Sequence, residues 1–201
     1  IFWMFLITAL LVCIWFSIRL DETLLPESRQ PLSFRKIRNG MIEVLKTRTA
    51  LGYTLATGFL FSPFVGYLSS SQQIFSDGYG KKDEFPLLFA SLALTFGVAS
   101  LVNARLVYRY GLKRLCFASV SVITGLSGIF LLGILGMDKM PPLWLFMGYM
   151  MIIFPGIGFL FGNLNALAME PLGHIAGVGA AMIGSLSSLI SIPLGILIAG
   201  V

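Results

Sequence analysis

This chain of 201 residues contains few charged residues: only 11% of its residues are charged, and 57% are hydrophobic. A soluble domain normally carries about 25% charged residues. A soluble core of this size could not bury so much apolar surface. The composition therefore excludes an ordinary soluble domain and predicts a protein whose solvent is lipid.

Cysteine and histidine are scarce as well. Cys13 and Cys116 lie far apart, each in or beside an apolar run, where a small buried side chain is the expected role. The sequence has no metal-site spacing, no disulfide framework, no catalytic triad and no phosphate-cradling loop. We therefore expect no cofactor, no metal ion and no enzymatic activity.

The net charge of +5 does not indicate nucleic-acid binding. The Lys and Arg residues lie in short segments between apolar runs, and there is no long basic tract to follow a phosphate backbone. Charges in such positions set the topology of a membrane protein instead. We expect no nucleic-acid partner.

Long apolar runs are what the sequence has in abundance. A spanning helix needs about 20 predominantly apolar residues, and six runs of this kind contain few or no charges. They are too long and too uniformly apolar for the strands of a barrel. The pattern predicts an all-α, polytopic membrane protein with six transmembrane helices. The runs cover residues 1–18, 51–75, 85–108, 115–136, 143–169 and 175–201.

The segments between these runs alternate in charge. The first, residues 19–49, holds seven Lys and Arg. The third, together with the end of the run before it, has four bases without any acid: Arg105, Arg109, Lys113 and Arg114. The second and fourth carry acids beside their bases. By the positive-inside rule, the first, third and fifth connections are cytoplasmic. We expect a multi-pass protein of the inner (plasma) membrane.

The first connection also has a helical pattern. Apolar residues recur every three or four positions, with charged residues on the opposite face, which predicts an amphipathic helix on the cytoplasmic membrane surface. A solvated linker is the alternative. The chain then divides into a helix at 1–20, a linker at 21–50 and a five-helix part at 51–201. The apolar positions of the linker helix are Phe34, Ile37, Met41, Val44 and Leu45.

Three short segments occur in a characteristic order. Residues 20–32 read LDETLLPESRQPL, residues 104–114 read ARLVYRYGLKR, and residues 161–169 read FGNLNALAM, with HIAG at 174–177. Together they resemble segments of bicyclomycin-resistance-type drug/proton antiporters in the major facilitator superfamily. The matching places are the end of the sixth helix, the connection between the eighth and ninth, and the end of the tenth.

The middle segment resembles the degenerate second copy of the superfamily's loop motif. Ala104 replaces the motif's Gly, and Tyr108 replaces its Asp, which puts the Asp-based charge relay in doubt here. The Gly of the turn permits a tight cytoplasmic connection. The positions that fit are Arg109, Gly111, Lys113 and Arg114.

The resemblance implies a carrier of twelve helices in two six-helix halves, each built from inverted repeats. This chain would supply helices six to eleven, which is most of the C-terminal half of the bundle preceded by the last helix of the N-terminal half. The implied function is multidrug efflux by proton antiport, with the lipid bilayer, the missing half, small amphiphilic molecules and protons as partners. The alternatives are a carrier of the same fold for a nutrient or metabolite, and a non-transporting membrane fragment or interaction partner.

In the superfamily, the first helix of each repeat lines the central cavity, which implies that the second and fifth spans do so here. The second span carries a face of aromatic and hydroxyl side chains, which suits amphiphilic compounds. The fifth span adds an amide that must find a partner in lipid, either on another helix or on the substrate. Ordinary helix packing is the alternative for each residue. The candidates are Tyr53, Thr57, Phe61, Phe64, Tyr67 and Asn163.

Acidic residues are absent from the interior of the apolar runs. A proton-coupled carrier needs a titratable group in its pathway, so any coupling carboxylate would lie outside this chain. Proton coupling thus rests on the resemblance alone. We expect Glu170 to have a surface role at the cytoplasmic mouth and His174 to be solvated.

Overall fold

The computed structural model describes residues 2–20, 33–137 and 140–200. The described residues form α-helices and helical turns, without strands. A π-helical turn, Ile74–Gly78, extends the third helix, and a 3₁₀ turn, Glu170–Ile175, joins the last two. The α-helices are α1 Phe2–Arg19, α2 Phe34–Lys46, α3 Arg48–Gln73, α4 Phe85–Tyr110, α5 Leu112–Ile134, α6 Leu143–Met169 and α7 Ala176–Ala199.

The chain divides into two compact units, Ile1–Lys36 and Ile37–Val201. The first contains α1, an apolar helix long enough to cross a membrane. The second contains most of α2 and the helices α3 to α7. The segment at 20–32, on which part of the family resemblance depends, lies outside the described residues except for Leu20.

Five continuous helical stretches among the described residues are long and apolar enough to cross a membrane. The last, Leu143–Ala199, has 57 residues. As one straight helix it would be about 85 Å long, far more than the ~30 Å of a hydrocarbon core. It is interrupted at Leu172, whose backbone is not helical (φ −109°, ψ 15°). Because α6 and α7 run in opposite directions along α3, they cross separately, and the six predicted spans are confirmed.

The directions of α3 and α7 follow from their closest contacts. A Cβ built on Gly58 would lie 2.8 Å from the Cβ of Ile190, and one on Gly66 would lie 2.9 Å from the carbonyl oxygen of Gly195. Residue numbers rise together along the two helices, which are therefore parallel. Small residues at such contacts let membrane helices approach closely.

The helix α6 lies at the centre of the second unit and packs against α3, α4 and α5. The ring of Phe64 contacts Phe154, and in the π-helical turn that extends α3 the ring of Phe75 contacts Phe146. Residue numbers on the two helices change in opposite directions, so α6 is antiparallel to α3. By the same criterion, α6 is antiparallel to α5 and parallel to α4.

These directions bring the start of α3, the α4–α5 connection and the α6–α7 turn to one end of the bundle, which we call the basic end. The other end, which we call the opposite end, carries bases and acids together. The cations of α3, α4 and α5 at the basic end are Arg48, Arg105, Arg109, Lys113 and Arg114. The charged residues described at the opposite end are Asp77, Lys81, Lys82, Asp83 and Glu84.

The α4–α5 connection is shorter than predicted. The predicted runs at 85–108 and 115–136 leave a connection over residues 109–114, but α4 continues to Tyr110 and only Gly111 separates it from α5. Arg105 and Arg109 therefore lie on the last turns of α4. Cations are stabilised near the C-terminus of a helix by its dipole, and long basic side chains can extend from such positions to water.

The linker helix α2 packs against the bundle at the basic end. Val44 is fully buried in a core cluster that includes Ala168 and Leu172, and a Cβ on Gly40 would lie 3.1 Å from Val178. The predicted apolar face therefore contributes only part of the contact. Other members of that face, including Met41, remain exposed.

Candidate functional site

Six aromatic rings contact one another across three helices, and we call them the aromatic cluster. The centroids of Phe61 and Phe161 are 4.5 Å apart. Phe64 lies at the centre, with its ring centroid 5.6 Å from Phe61, 5.5 Å from Phe154 and 5.9 Å from Phe96. The members are Phe61, Phe64 and Tyr67 of α3, Phe96 of α4, and Phe154 and Phe161 of α6.

Helical spacing places these rings on facing sides. The three members on α3 are three residues apart, and the two on α6 are seven apart, which is about two turns. Gly158 lies between the two α6 rings. A Cβ there would be 3.5 Å from the ring of Phe96, which is an ordinary van der Waals distance. Gly158 therefore lies at the contact of α6 with α4, beside the cluster.

The hydroxyl of Tyr67 is the single polar side-chain group of the cluster. Its ring meets Phe154 edge to face, with 5.4 Å between centroids and 89° between planes. The hydroxyl is buried and has no hydrogen-bond partner among the described residues. Leaving such a group unsatisfied costs about 1–3 kcal/mol. It is therefore poised to bond a water molecule or a ligand acceptor.

A second hydroxyl of this kind belongs to Tyr79, beyond the π-helical turn. It is also buried without a partner among the described residues, and burial raises the pKa of the phenol. Its ring packs against Phe75 and Phe146. This group lies outside the aromatic cluster.

Tyr53 and Thr57, predicted on the same face, are not members of the cluster. Thr57 is buried, and its hydroxyl donates to the carbonyl oxygen of Tyr53 at 2.8 Å within the same helix. Tyr53 packs against core residues nearer the basic end, around Leu164 and Leu172. The structure therefore brings together the predicted Phe61, Phe64 and Tyr67 and separates the other two. A role in substrate binding stays a prediction for all of them.

Asn163 bonds another helix. Its Nδ2 donates to Oδ1 of Asn103 at 2.9 Å, and Nδ2 of Asn103 donates to Oδ1 of Asn163 at 3.0 Å. Asn163 is only 2% exposed. The neighbouring helix thus supplies one of the two partners considered from the sequence, and a role of Asn163 in substrate binding stays a prediction. Asn103 was missed, although a lone amide inside an apolar run signals the need for a partner.

The loop-motif residues lie together at the basic end. Gly111 has φ +79° and ψ 156°, a positive φ that favours glycine, and it reverses the chain between α4 and α5. The guanidinium of Arg109 lies 5.4 Å from the ring centroid of Tyr110. Lys113 and Arg114 are exposed on the first turn of α5 and share a shallow pocket with Glu170.

His174, which was predicted to be solvated, is exposed and also has a side-chain partner. Its Nε2 lies 2.6 Å from Oε1 of Glu43 on α2. Glu170 is exposed in the 3₁₀ turn. Among the described residues, the acids lie in α2, in turns or in connections, and Asp77 lies in the π-helical turn at the opposite end.

The apolar helices and their packing define a multi-pass α-helical membrane protein. The chain is 29% identical over 192 residues to the "Uncharacterized MFS-type transporter YdgK" of Bacillus subtilis, an alignment that covers 94% of this chain and 47% of that protein. It is 25% identical over 207 residues to the "Bicyclomycin resistance protein homolog" of Haemophilus influenzae, covering 99% of this chain and 50% of that protein.

The chain thus spans about half the length of the curated relatives it matches. The two matches confirm the resemblance to the major facilitator superfamily and to its bicyclomycin-resistance type. No family model matches the chain. No solved structure matches it either.

Proposed function

We propose that this chain is the C-terminal part of a transporter that exports small amphiphilic molecules from the cytoplasm in exchange for protons. The observation that carries the proposal is the aromatic cluster, which joins three helices and contains one buried polar group, the Tyr67 hydroxyl. The name of the Haemophilus influenzae relative, which refers to resistance to bicyclomycin, supports a drug as the substrate. Alternating access would come from movement of two halves around the site.

The cluster has the chemistry that broad recognition of amphiphiles requires. Aromatic rings offer large apolar contact areas with few directional demands. Their faces also attract cations, so lipophilic cations are favoured ligands. Phe161 is 47% exposed, and the ring contacts of the cluster lead from it to the half-buried ring of Phe64. The Tyr67 hydroxyl would supply one fixed hydrogen bond to a substrate acceptor.

The orientation we propose follows from the charges. The basic end would face the cytoplasm, which makes the first, third and fifth connections cytoplasmic, in the inner (plasma) membrane. The helix α2 would lie at the cytoplasmic surface with Ile37, Met41 and Leu45 toward lipid. In this assignment, α1 is the last helix of the N-terminal half.

The proton-coupling groups would lie in the part of the carrier that this chain does not supply, since α1 and α3 to α7 contain no Asp or Glu among the described residues. The chain alone is then expected to lack transport. The test uses proteoliposomes loaded with ethidium and given an imposed pH gradient. The 201-residue chain should give no efflux, whereas the reading frame extended upstream through five more spans should give efflux that a protonophore abolishes.

Two results would contradict the proposal in different ways. Proton-driven efflux by the chain alone would show that it is not a partial carrier. An extended protein that inserts but moves no compound from a panel of lipophilic cations would show that drug export is wrong. A nutrient panel then tests the alternative of inward metabolite transport.

The cluster itself is tested in the extended protein. Replacing Phe64 with Ala removes the central ring and should weaken binding of a lipophilic cation about 2- to 10-fold, the equivalent of an aromatic contact worth about 0.5–1.5 kcal/mol. Phe59→Ala is the control, because Phe59 is exposed on α3 outside the cluster. Tyr67→Phe should weaken only ligands that carry an acceptor. If Phe59→Ala and Phe64→Ala weaken binding of the cation equally, the aromatic cluster is not the binding site.

A further inference from the structure

A groove with a volume of about 460 Å³ runs between α5 and α6. It is separate from the aromatic cluster, since none of the cluster's rings lines it. Its walls come from residues 126–137 of α5 and its C-terminal extension, and from residues 144–152 of α6. The volume falls in the range of small-molecule sites, about 300–1,000 Å³.

Glycines keep the groove open. Gly133 and Gly148 both line it, and a Cβ built on either one would meet no atom within 4 Å. A larger side chain at these positions would extend into the empty space. Glycine also weakens a helix interior by about 0.5–1 kcal/mol relative to alanine, so neither position is explained by helix stability or by close packing.

The groove makes no polar demand on an occupant. None of the lining residues is charged. Among the polar groups that line the groove, the hydroxyl of Tyr149 lies furthest from the groove's outer end. It is already bonded to the hydroxyl of Ser127 at 2.8 Å. The Tyr149 ring is stacked on Phe130, with 4.2 Å between centroids. An uncharged hydrocarbon complements such walls, because it leaves no donor or acceptor unsatisfied.

The length of the groove matches one leaflet of a bilayer. The lining segment of α6 is about 12 Å long and that of α5 about 16 Å at 1.5 Å per residue, and half of a hydrocarbon core is about 15 Å. Trp144, which is 74% exposed, lies at the outer end, and tryptophan is enriched at membrane interfaces. The groove is also continuous with exposed apolar residues of α5, of which Ile129 is 70% exposed.

We propose that the α5–α6 groove binds one acyl chain of a membrane phospholipid, in the leaflet at the opposite end of the bundle. The headgroup then lies at the level of Trp144, and the chain end reaches the Tyr149–Ser127 pair. This site does not depend on the proposed transport. A lipid chain bound here would fill the open space between α5 and α6.

The test uses the full chain reconstituted in vesicles of a phosphatidylcholine with a diazirine in one acyl chain. After irradiation, mass spectrometry maps the cross-linked residues. Labelling of the half-buried Phe130 and Tyr149 should exceed that of Leu101 severalfold, although Leu101 is 77% exposed on α4. The variant Gly133→Leu/Gly148→Leu fills the groove and should lose most of this labelling. Gly97→Leu is the control, since Gly97 also has open space around it but lies on α4.

Three outcomes would overturn the proposal. One is labelling of Tyr149 that does not exceed that of Leu101, which means only bulk lipid contact. Another is labelling that the filled but inserted variant retains. The third is labelling of Tyr149 that falls as the protein-to-lipid ratio rises, which would assign the groove to a contact between copies of the chain. If the double variant does not insert, the contrast between Tyr149 and Leu101 in the wild-type chain decides.

Discussion

At the scale of single residues, the Asn103–Asn163 pair is a contact in which each amide satisfies the other inside apolar surroundings. Replacing Asn163 with Leu strands the amide of Asn103. We expect a loss of about 1–2 kcal/mol in the free energy of unfolding, the upper part of the range for polar contacts between membrane helices. The measurement is unfolding in mixed detergent micelles with increasing SDS.

The double variant Asn103→Leu/Asn163→Leu is the matched control for this prediction. It removes both amides and leaves neither unsatisfied, so it should be less destabilised than the sum of the two single variants. Strictly additive losses would mean that the two amides do not interact.

Glycines on α7 give a second comparison of single residues. A Cβ on Gly195 would lie 2.8 Å from Val65, whereas one on Gly184 meets nothing within 4 Å. Gly195→Leu should therefore cost about 1–3 kcal/mol from overpacking, and Gly184→Leu should change the thermal midpoint little. Similar thermal midpoints for the two variants would mean that Gly195 does not lie at the contact between α3 and α7.

The candidate site could be predicted from the sequence only along one helix. The spacing of Phe61, Phe64 and Tyr67 is a local property, and they do share a face. Phe96 and Phe154 join them only because α4 and α6 are the neighbours of α3, which helical periodicity does not encode. Thr57 was placed with them because helical spacing puts it on the same face, but a threonine in lipid can bond a carbonyl of its own helix, as this one does.

At the scale of elements, α2 has three faces in place of the two that were predicted. Gly40 and Val44 face the bundle, Ile37, Met41 and Leu45 form an exposed apolar stripe beside them, and charged residues occupy the rest. A helix at a membrane surface has three neighbours when it packs against a bundle: protein, lipid and water. Amphipathicity alone divides a helix into two sides.

The packing of α2 depends on Gly40 more than on the pair of Glu43 and His174. Gly40→Leu should push against Val178 and increase amide hydrogen exchange over residues 37–46. Asn39→Leu, on the exposed side of the same helix, is its control. His174→Gln should have little effect, because exposed ion pairs contribute only about 0–1 kcal/mol. Faster exchange in His174→Gln than in Gly40→Leu would reverse this ranking.

The transmembrane helices themselves were predictable because apolar length is a strong local signal. Their ends were less so. The basic residues at 105 and 109 suggested a connection, but both are on α4, since a helix can carry cations in its last turns. The single residue Gly111 is sufficient to reverse the chain.

At the scale of the whole molecule, the helix directions gather the cations of three helices at one end. We expect this end to face the cytoplasm in intact cells. The test uses Lys82→Cys and Lys113→Cys, each in a background with Cys13 and Cys116 replaced by alanine. A membrane-impermeant maleimide should label position 82 from outside and position 113 only after permeabilisation. Labelling of position 113 in intact cells would contradict the orientation.

The parallel contact of α3 with α7 has a consequence for how the protein is made. The carbonyl of Thr54 and the hydroxyl of Ser187 that bonds it are 133 positions apart in the sequence. At a synthesis rate of about 5–20 residues per second, α3 is in the membrane for roughly 7–27 s before its partner is complete. During that interval, Gly58 and Gly66 contact the insertion machinery or lipid in place of α7, and the α3–α7 contact forms only when α7 has been made.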